Sequence, residues 1–308
     1  MKDIDPTLLS RRQTLECMAW AGIGVVWTVT GGVPRSSLIG AAKADETGFS
    51  FVQVSDSHIG FAKPANPDAR ATLKEAIGRV TGLARKPAFV LHTGDITHSA
   101  KPGEFDDAAQ ILGDLHLDIH YAPGEHDITS PATQKAYLER YGAGATPGGW
   151  YAFDQGGVHF ISLVNVVDLK ANGLGYLGAE QLAWLDSDLR GRSASAPIVV
   201  FAHIPLWMVA PEWGWGTDDG AQALQMLARF GSVTVLNGHI HQIVQKVEGN
   251  MTFHTARPTS YPQPLAGVGS GPGPLKVPAD QLAGMLGITS VSVVKHPSAL
   301  ALDDTALA

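Results

Sequence analysis

Five groups of acidic and imidazole side chains recur along the chain in order: Asp56-Ser57-His58, Gly94-Asp95, Gly124-Glu125-His126-Asp127, His203, and Gly238-His239-Ile240-His241. Borderline divalent cations take imidazole nitrogen and carboxylate oxygen, and one shared carboxylate can hold two of them roughly 3.5–4 Å apart. Such a set, placed just after strands, can converge on two metal ions. The chemistry it points to is metal-assisted hydrolysis of a phosphate ester.

Context separates these groups from decoys. Asp114-Leu115-His116 and Asp118-Ile119-His120 repeat the Asp-x-His spacing, and Gly113-Asp114 repeats the Gly-Asp. Asp56 and His58, however, end an alternating and then largely apolar run over 49–55 that reads as a buried strand. Asp95 follows Phe89-Val90-Leu91-His92-Thr93-Gly94, where the glycine supplies the tight turn off a second strand. Segment 114–120 begins in the tail of an amphipathic stretch around 108–112, so its charged groups are expected to be solvated. His92 lies within a strand and reads as a satisfied core histidine, and neither it nor His98 is placed in the ligand set.

In the order and spacing of these motifs the chain resembles the calcineurin-like metallophosphoesterase superfamily, over roughly residues 49–260. That pattern is Asp-x-His, Gly-Asp, Gly-Asn-His-Asp/Glu, a lone His, and Gly-His-x-His. The resemblance implies an α/β fold, a four-layer α-β-β-α sandwich of two mixed sheets flanked by helices. It implies Asp56, His58 and His241 on one metal, Asp95 bridging, and His203 and His239 on the second. Glu125 stands where the family has asparagine. Its carboxylate can tighten the second site, bind bidentately, swing away, or be a surface group in a turn. His126 and Asp127 match the family's leaving-group histidine and the acid that orients it.

The implied cofactors are two divalent or trivalent transition-metal ions per chain, drawn from Mn, Fe, Zn or Co. Two cations lower the pKa of a bridging water, supply hydroxide for in-line attack, and neutralise the phosphoryl oxygens as charge develops. His126 would then assist departure of the ester oxygen as a general acid. The expected substrate is a small phosphate ester, in the manner of the cyclic-nucleotide-phosphodiesterase-like branch. A phosphomonoesterase, such as an acid phosphatase or nucleotidase, would use the same ligands. A metal-stabilised binding protein in which Glu125 has abolished turnover is the non-enzymatic alternative.

Composition bounds these readings. The 308 residues are 44% hydrophobic with mean hydropathy near zero, enough for one large α/β domain. A net charge of −7 argues against general nucleic-acid binding, although a metal pair would make the cleft locally positive.

Residues 1–44 read as a twin-arginine signal peptide, leaving a metallophosphoesterase domain over 45–308. Arg11-Arg12 precedes a mildly apolar run over 17–33, and Ala42-Lys43-Ala44 fits cleavage before Asp45. The run is about 17 residues and rich in Gly and Thr, short for a membrane span, so no stable anchor is expected after cleavage. The expected export partner is the twin-arginine translocase, and the expected location is periplasmic or extracellular. Cys17, the one cysteine, would leave with the signal. Removing Lys2, Arg11, Arg12, Arg35 and Lys43 from 22 basic residues, and Asp3, Asp5 and Glu16 from 29 acidic ones, leaves 17 against 26, a net charge of −9.

The positioning elements are predicted as helices over 67–84, 131–141 and 179–189, and as strands over 158–164, 197–202, 233–236, 243–247 and 252–255. Every motif then falls in a loop at a strand end, where α/β architectures build ligand sites. The glycine-rich segment 267–273 lacks the third glycine of a dinucleotide fingerprint and reads as a loop, and there is no Gly-x-Ser-x-Gly elbow. Trp207, Trp213 and Trp215, in a loop of prolines and glycines, either contact substrate or pack that loop onto the core. Tyr261 and its neighbouring prolines are expected at the opposite rim.

Overall fold

The computed structural model describes residues 25–30, 33–38, 48–293 and 300–308. Arg11-Arg12, Cys17 and the expected cleavage site at 42–44 lie outside the described residues. Strands β1 (Val25–Thr30) and β2 (Val33–Leu38) pair antiparallel, with Thr30 opposite Val33. Among the described residues no helix is long and apolar enough to cross a membrane.

Two mixed sheets form the body. The first has the order β13-β12-β3-β4-β5, with β3 (Ser50–Val54), β4 (Val90–His92) and β5 (Ile119–Tyr121) parallel. Strands β12 (Gly287–Val293) and β13 (Leu300–Ala306) extend it antiparallel. The second has the order β10-β11-β9-β8-β7-β6. Its parallel centre is β7 (Val158–Ser162), β8 (Ile198–Phe201), β9 (Val233–Asn237) and β11 (Met251–Thr255), with β6 (Tyr151–Gln155) and β10 (Gln245–Glu248) antiparallel at its edges.

Strand alternation decides which core each side chain enters. From β3, Phe51 points between the sheets, where it meets Phe89, Phe160, Phe201 and Leu236. Phe51 and Phe89 stack at 5.0 Å, and Phe160 meets both edge-on at 5.3 and 5.2 Å. Each such ring removed from water contributes on the order of 1.5–3 kcal/mol. Val52 and Val54 face the other way, onto α1 (Ala69–Thr81), α2 (Pro102–Gly113) and α3 (Pro131–Tyr141). Helix α1 offers Leu73, Ile77 and Val80 at helical spacing and is capped by Asp68, which accepts from the Ala71 N–H at 3.0 Å. On the outer face of the second sheet, α4 (Ala179–Leu189) and α5 (Gly220–Leu227) cover Ile161, Val200 and Val235.

The four-layer α-β-β-α arrangement that the family resemblance implies is therefore the observed one. The helices over 131–141 and 179–189 have the expected bounds, and that over 67–84 is shorter at both ends. The 267–273 segment forms turns, and α6 (Ala279–Met285) follows only after it. Asp114, His116 and Asp118 are exposed, as solvated groups should be.

Candidate metal centre

The ligand-bearing loops leave the sheets side by side. Beyond β3 and β4, the Asp56 N–H donates to the Gly94 carbonyl at 3.0 Å and the His58 N–H to that of Asp95 at 2.9 Å, so strand pairing continues into the loops. Across the two sheets, Gln53 donates through Nε2 to Thr93 Oγ1 and the Asn237 carbonyl, both at 3.0 Å, and forms a polar floor. The Gly238 N–H reaches the His203 carbonyl at 3.0 Å.

Close approach requires glycine. A Cβ on Gly124 would stand 2.0 Å from Asp95 Oδ1, and one on Gly238 would stand 2.0 Å from Ser55 Oγ. Five residues of the predicted set adopt the left-handed backbone: Asp56, His58, Asp95, His239 and His241, with φ of 53°, 41°, 52°, 70° and 51°. That conformation costs a non-glycine residue on the order of 1 kcal/mol or more, and such strain concentrates at functional sites.

The seven predicted ligands come together as two groups. Asp56, His58, Asp95 and His241 are all buried, with one ligand atom from each within 4.8 Å of the others, and Glu125, His203 and His239 form a second group of the same kind. Asp95 lies between them: its Oδ2 is 3.3 Å from Nε2 of His58 and 3.3 Å from Nε2 of His203. Its Oδ1 accepts from the His126 N–H at 2.9 Å, which fixes the carboxylate plane. Glu125 does not swing away, since its two oxygens stand 3.0 Å from His203 Nε2 and 2.9 Å from His239 Nδ1.

These residues fit a cation pair. In the second group Glu125 Oε2, His203 Nε2 and His239 Nδ1 are buried without a well-directed hydrogen bond, although carboxylate and imidazole atoms lie about 3 Å apart, and in the first His58 Nε2 and His241 Nε2 stand 3.1 Å apart, each 3.3 Å from a carboxylate oxygen. Lone pairs aimed at a common point, rather than at each other, are the arrangement a metal ion satisfies. The remaining imidazole nitrogens are already used. His203 Nδ1 donates to the Thr93 carbonyl at 2.7 Å and His241 Nδ1 to the Tyr261 carbonyl, which leaves Nε2 of each as the nitrogen free to face a cation.

The electrostatics agree. Burial alone would raise the Asp56 carboxyl, yet His241 and His203 beside it bring it down to about 2. Glu125 is likewise held well below the usual range against its burial, by His239 and His203. Burial, reinforced by His241, His126 and His98, pushes His58 well below the ordinary imidazole value and keeps it neutral. Burial opposes protonation of His203 and His126, but Asp95 and Glu125 raise both. Among the described residues no lysine or arginine forms an ion pair with Asp56, Asp95 or Glu125. The negative potential that draws protons onto these rings is one that cations would neutralise.

Two expectations are corrected. Asp127 does not touch the His126 ring. Its carboxylate accepts from the N–H groups of Thr97, Gly124 and Ile96 at 2.8, 3.0 and 3.1 Å and from Thr97 Oγ1 at 2.9 Å, so it ties the Gly94 and Gly124 loops together. The His126 ring is held instead by the His98 carbonyl, 2.7 Å from Nδ1. Nor do Trp207 and Trp215 face substrate. Trp207 is buried against Phe253 at 4.8 Å, and Trp215 packs with Ala210 around Ile240, whose side chain anchors the His239–His241 loop. Half-buried Trp213 meets Trp215 edge-on at 4.9 Å. The Trp213–Trp215 pair thus packs against the loop that carries His239 and His241.

Three residues outside the predicted ligand set complete the surroundings. His98 places Nδ1 3.3 Å from Nδ1 of His58 and stacks on His126. The Tyr261 hydroxyl lies 3.2 Å from His58 Nε2, so this rim residue reaches the centre itself. His92 is the core histidine expected, with Nε2 2.8 Å from Ser57 Oγ. Beside Glu125 and His126 a cleft of about 590 Å³ opens toward Val167 and Leu169.

Comparison with known proteins places this geometry. A glycerophosphodiester phosphodiesterase of Enterobacter lignolyticus is 26% identical over 204 residues, 64% of this chain and 71% of that protein. A 3',5'-cyclic-nucleotide phosphodiesterase of a Nostoc species is 24% identical over 218 residues, 69% and 79% of the two chains. A crystal structure of a dimetal phosphatase from Danio rerio superposes with a TM-score of 0.65 at 13% identity, covering 84% of this chain and 96% of that one, a likeness of fold. Residues 49–243 match the family described as calcineurin-like phosphoesterase, and the chain belongs to that family.

Proposed function

We propose that this calcineurin-like phosphoesterase, a metal-dependent phosphoric ester hydrolase, cleaves phosphodiesters at a dinuclear centre held by Asp56, His58, Asp95, Glu125, His203, His239 and His241. The observation that carries the reading is Asp95 Oδ2, 3.3 Å from Nε2 of both His58 and His203, between two groups of converging carboxylate and imidazole atoms. Two cations there would activate water as a nucleophile and offset charge on the phosphoryl oxygens. The chain's own part is to hold them with preset imidazole tautomers and a carboxylate fixed by the His126 N–H. His126, with Nδ1 committed to a carbonyl, has Nε2 left to give a proton to the departing oxygen.

The phosphodiesterase names of the relatives above support the diester preference. Turnover of bis-p-nitrophenyl phosphate against p-nitrophenyl phosphate by the metal-loaded protein tests this: the diester should be preferred. Elemental analysis should find close to two transition-metal ions per chain, from Mn, Fe, Zn or Co.

Export through the twin-arginine translocase is part of the same proposal, supported by Arg11-Arg12 and the apolar run behind it. That route suits proteins that fold and load metal before crossing. Replacing both arginines by lysine should retain the precursor inside the cell, and the exported form should begin at or near Asp45. An exported chain that still begins with Met1 would contradict cleavage.

A further inference from the structure

The cleft beside His126 runs between the 128–134 segment and the 166–169 loop. One wall is aliphatic: Ile128 and Val166 are buried, while Val167 and Leu169 stand 44% and 41% exposed. The ionisable lining groups are Glu125 and His126 of the metal centre and Asp168 outside it, with no lysine or arginine. Lys170, two residues beyond Asp168, lays its ammonium over the Tyr176 ring, 3.6 Å from the centroid.

The start of α3, which also borders the cleft, offers little to an anion. Three amides there are spent on the cap: the Thr129 and Ser130 N–H groups donate to Thr133 Oγ1 at 2.8 and 2.9 Å, and the Thr133 N–H donates to Ser130 Oγ at 3.2 Å. Outside the metal centre, a negatively charged group in this space would meet the Asp168 carboxylate and no lysine or arginine.

We infer that this cleft is the leaving-group subsite, and that it selects phosphodiesters whose departing alcohol has an apolar body and no negative charge of its own. The inference rests on the phosphodiesterase reading above. Hydrolysis forms a P–O bond to the oxygen of water and breaks the bond to the alcohol oxygen, which leaves with a proton. The alcohol must therefore depart beside the group placed to protonate it, and His126 lines this cleft. A volume of about 590 Å³ has room for an aryl or nucleoside-sized body. Val167 and Leu169 supply contact, and Asp168 supplies discrimination by repelling departing groups that carry a second phosphate or a carboxylate.

The test compares methyl p-nitrophenyl phosphate with its ring-carboxylated analogue, each rate normalised to uncatalysed hydrolysis of the same ester. The metal-loaded protein should favour the uncharged ring by about fivefold or more in kcat/KM, the scale of one charge–charge contact in a hydrated cleft. Asp168→Lys, a change at an exposed position, should narrow or invert that ratio, and Leu169→Ser should lower kcat/KM for the uncharged aryl ester. Turnover of both diesters with a ratio unchanged by Asp168→Lys would overturn the subsite assignment while leaving the phosphodiesterase reading intact. Turnover of neither diester by protein that carries its metals would overturn that reading, and the subsite with it.

Discussion

The His126 ring rests on His98: its Nδ1 donates to the His98 backbone carbonyl at 2.7 Å, and the two rings stack 4.9 Å apart at 16°. A carbonyl can only accept, so Nδ1 carries its proton there in every charge state, and Nε2 is the nitrogen able to exchange one with substrate. His126→Ala should lower kcat on diesters of poorly departing alkyl alcohols by about 10²–10⁴-fold. The loss should shrink for p-nitrophenyl esters, whose leaving oxygen needs no proton. A leaving-group series on both proteins reads this difference as a steeper dependence on alcohol pKa in the variant.

Asp127 should behave otherwise. Its carboxylate is buried and accepts from three backbone N–H groups and a hydroxyl, so Asp127→Ala leaves several donors without partners. The cost should be about 3 kcal/mol or more of folding stability, measured by denaturant unfolding. The residual activity should keep the wild-type dependence on leaving-group pKa. A change in that dependence would return Asp127 to a direct part in proton transfer.

The two ligand groups differ in access to water. The side chains of Asp56, His58, Asp95 and His241 are at most 2% exposed, whereas Glu125 and His239 are 23% and 12% exposed. Graded chelation should therefore remove one metal equivalent first, from the Glu125 group, with most of the activity, and the second more slowly. Asp95→Ala should lose both equivalents, because that carboxylate lies between the groups. Metal content by elemental analysis after timed dialysis against chelator checks the order.

Glu125 places a charge where the family pattern has a neutral amide. Both its oxygens face imidazole nitrogens, so Glu125→Asn, shorter by one methylene and uncharged, should weaken metal retention in its own group and spare the other. Glu125→Ala should carry about one equivalent under conditions where the wild type carries two. Unchanged stoichiometry in both variants would make this residue a bystander in the turn.

Much of this centre was legible because each ligand motif follows a strand whose apolar pattern is strong. The 49–55 run became β3, and Asp56 and His58 emerge directly from its end. What could not be read are contacts made across long stretches of chain. His98 meets His58 across 40 residues and Tyr261 meets it across 203, and nothing in local spacing announces either. The three tryptophans were ambiguous because an aromatic ring in a Gly/Pro-rich loop suits a pocket or a core equally well, and only Ile240 packing against Trp215 decides it. Strand β12 escaped for a different reason: Thr289, Ser290 and Ser292 dilute its apolar alternation, and β3 on one side with β13 on the other supplies what propensity does not.

His92 supplies a stability signal separable from catalysis. Its Nδ1 accepts from the Gly94 N–H at 3.3 Å, which puts the neutral ring's proton on Nε2, toward Ser57. Protonating Nδ1 would break that bond in a fully buried site, and burial, with His203 adding to it and Asp56 opposing it, pushes the ring from 6.5 down to about 3. The unfolded chain binds this proton below about 6.5 and the folded chain does not. The contribution of the neutral ring is therefore complete above pH 6.5 and is lost as pH falls toward 3, at about 1.4 kcal/mol per pH unit. His92→Gln can retain an acceptor for Gly94 and a donor for Ser57 without titrating. In chelator-treated protein, where the ligand groups titrate alike in both forms, urea unfolding between pH 7.5 and 5 should show a shallower acid slope for the variant by that amount. Equal slopes would mean that His92 takes up its proton in the folded protein, which its burial and its bond from Gly94 argue against.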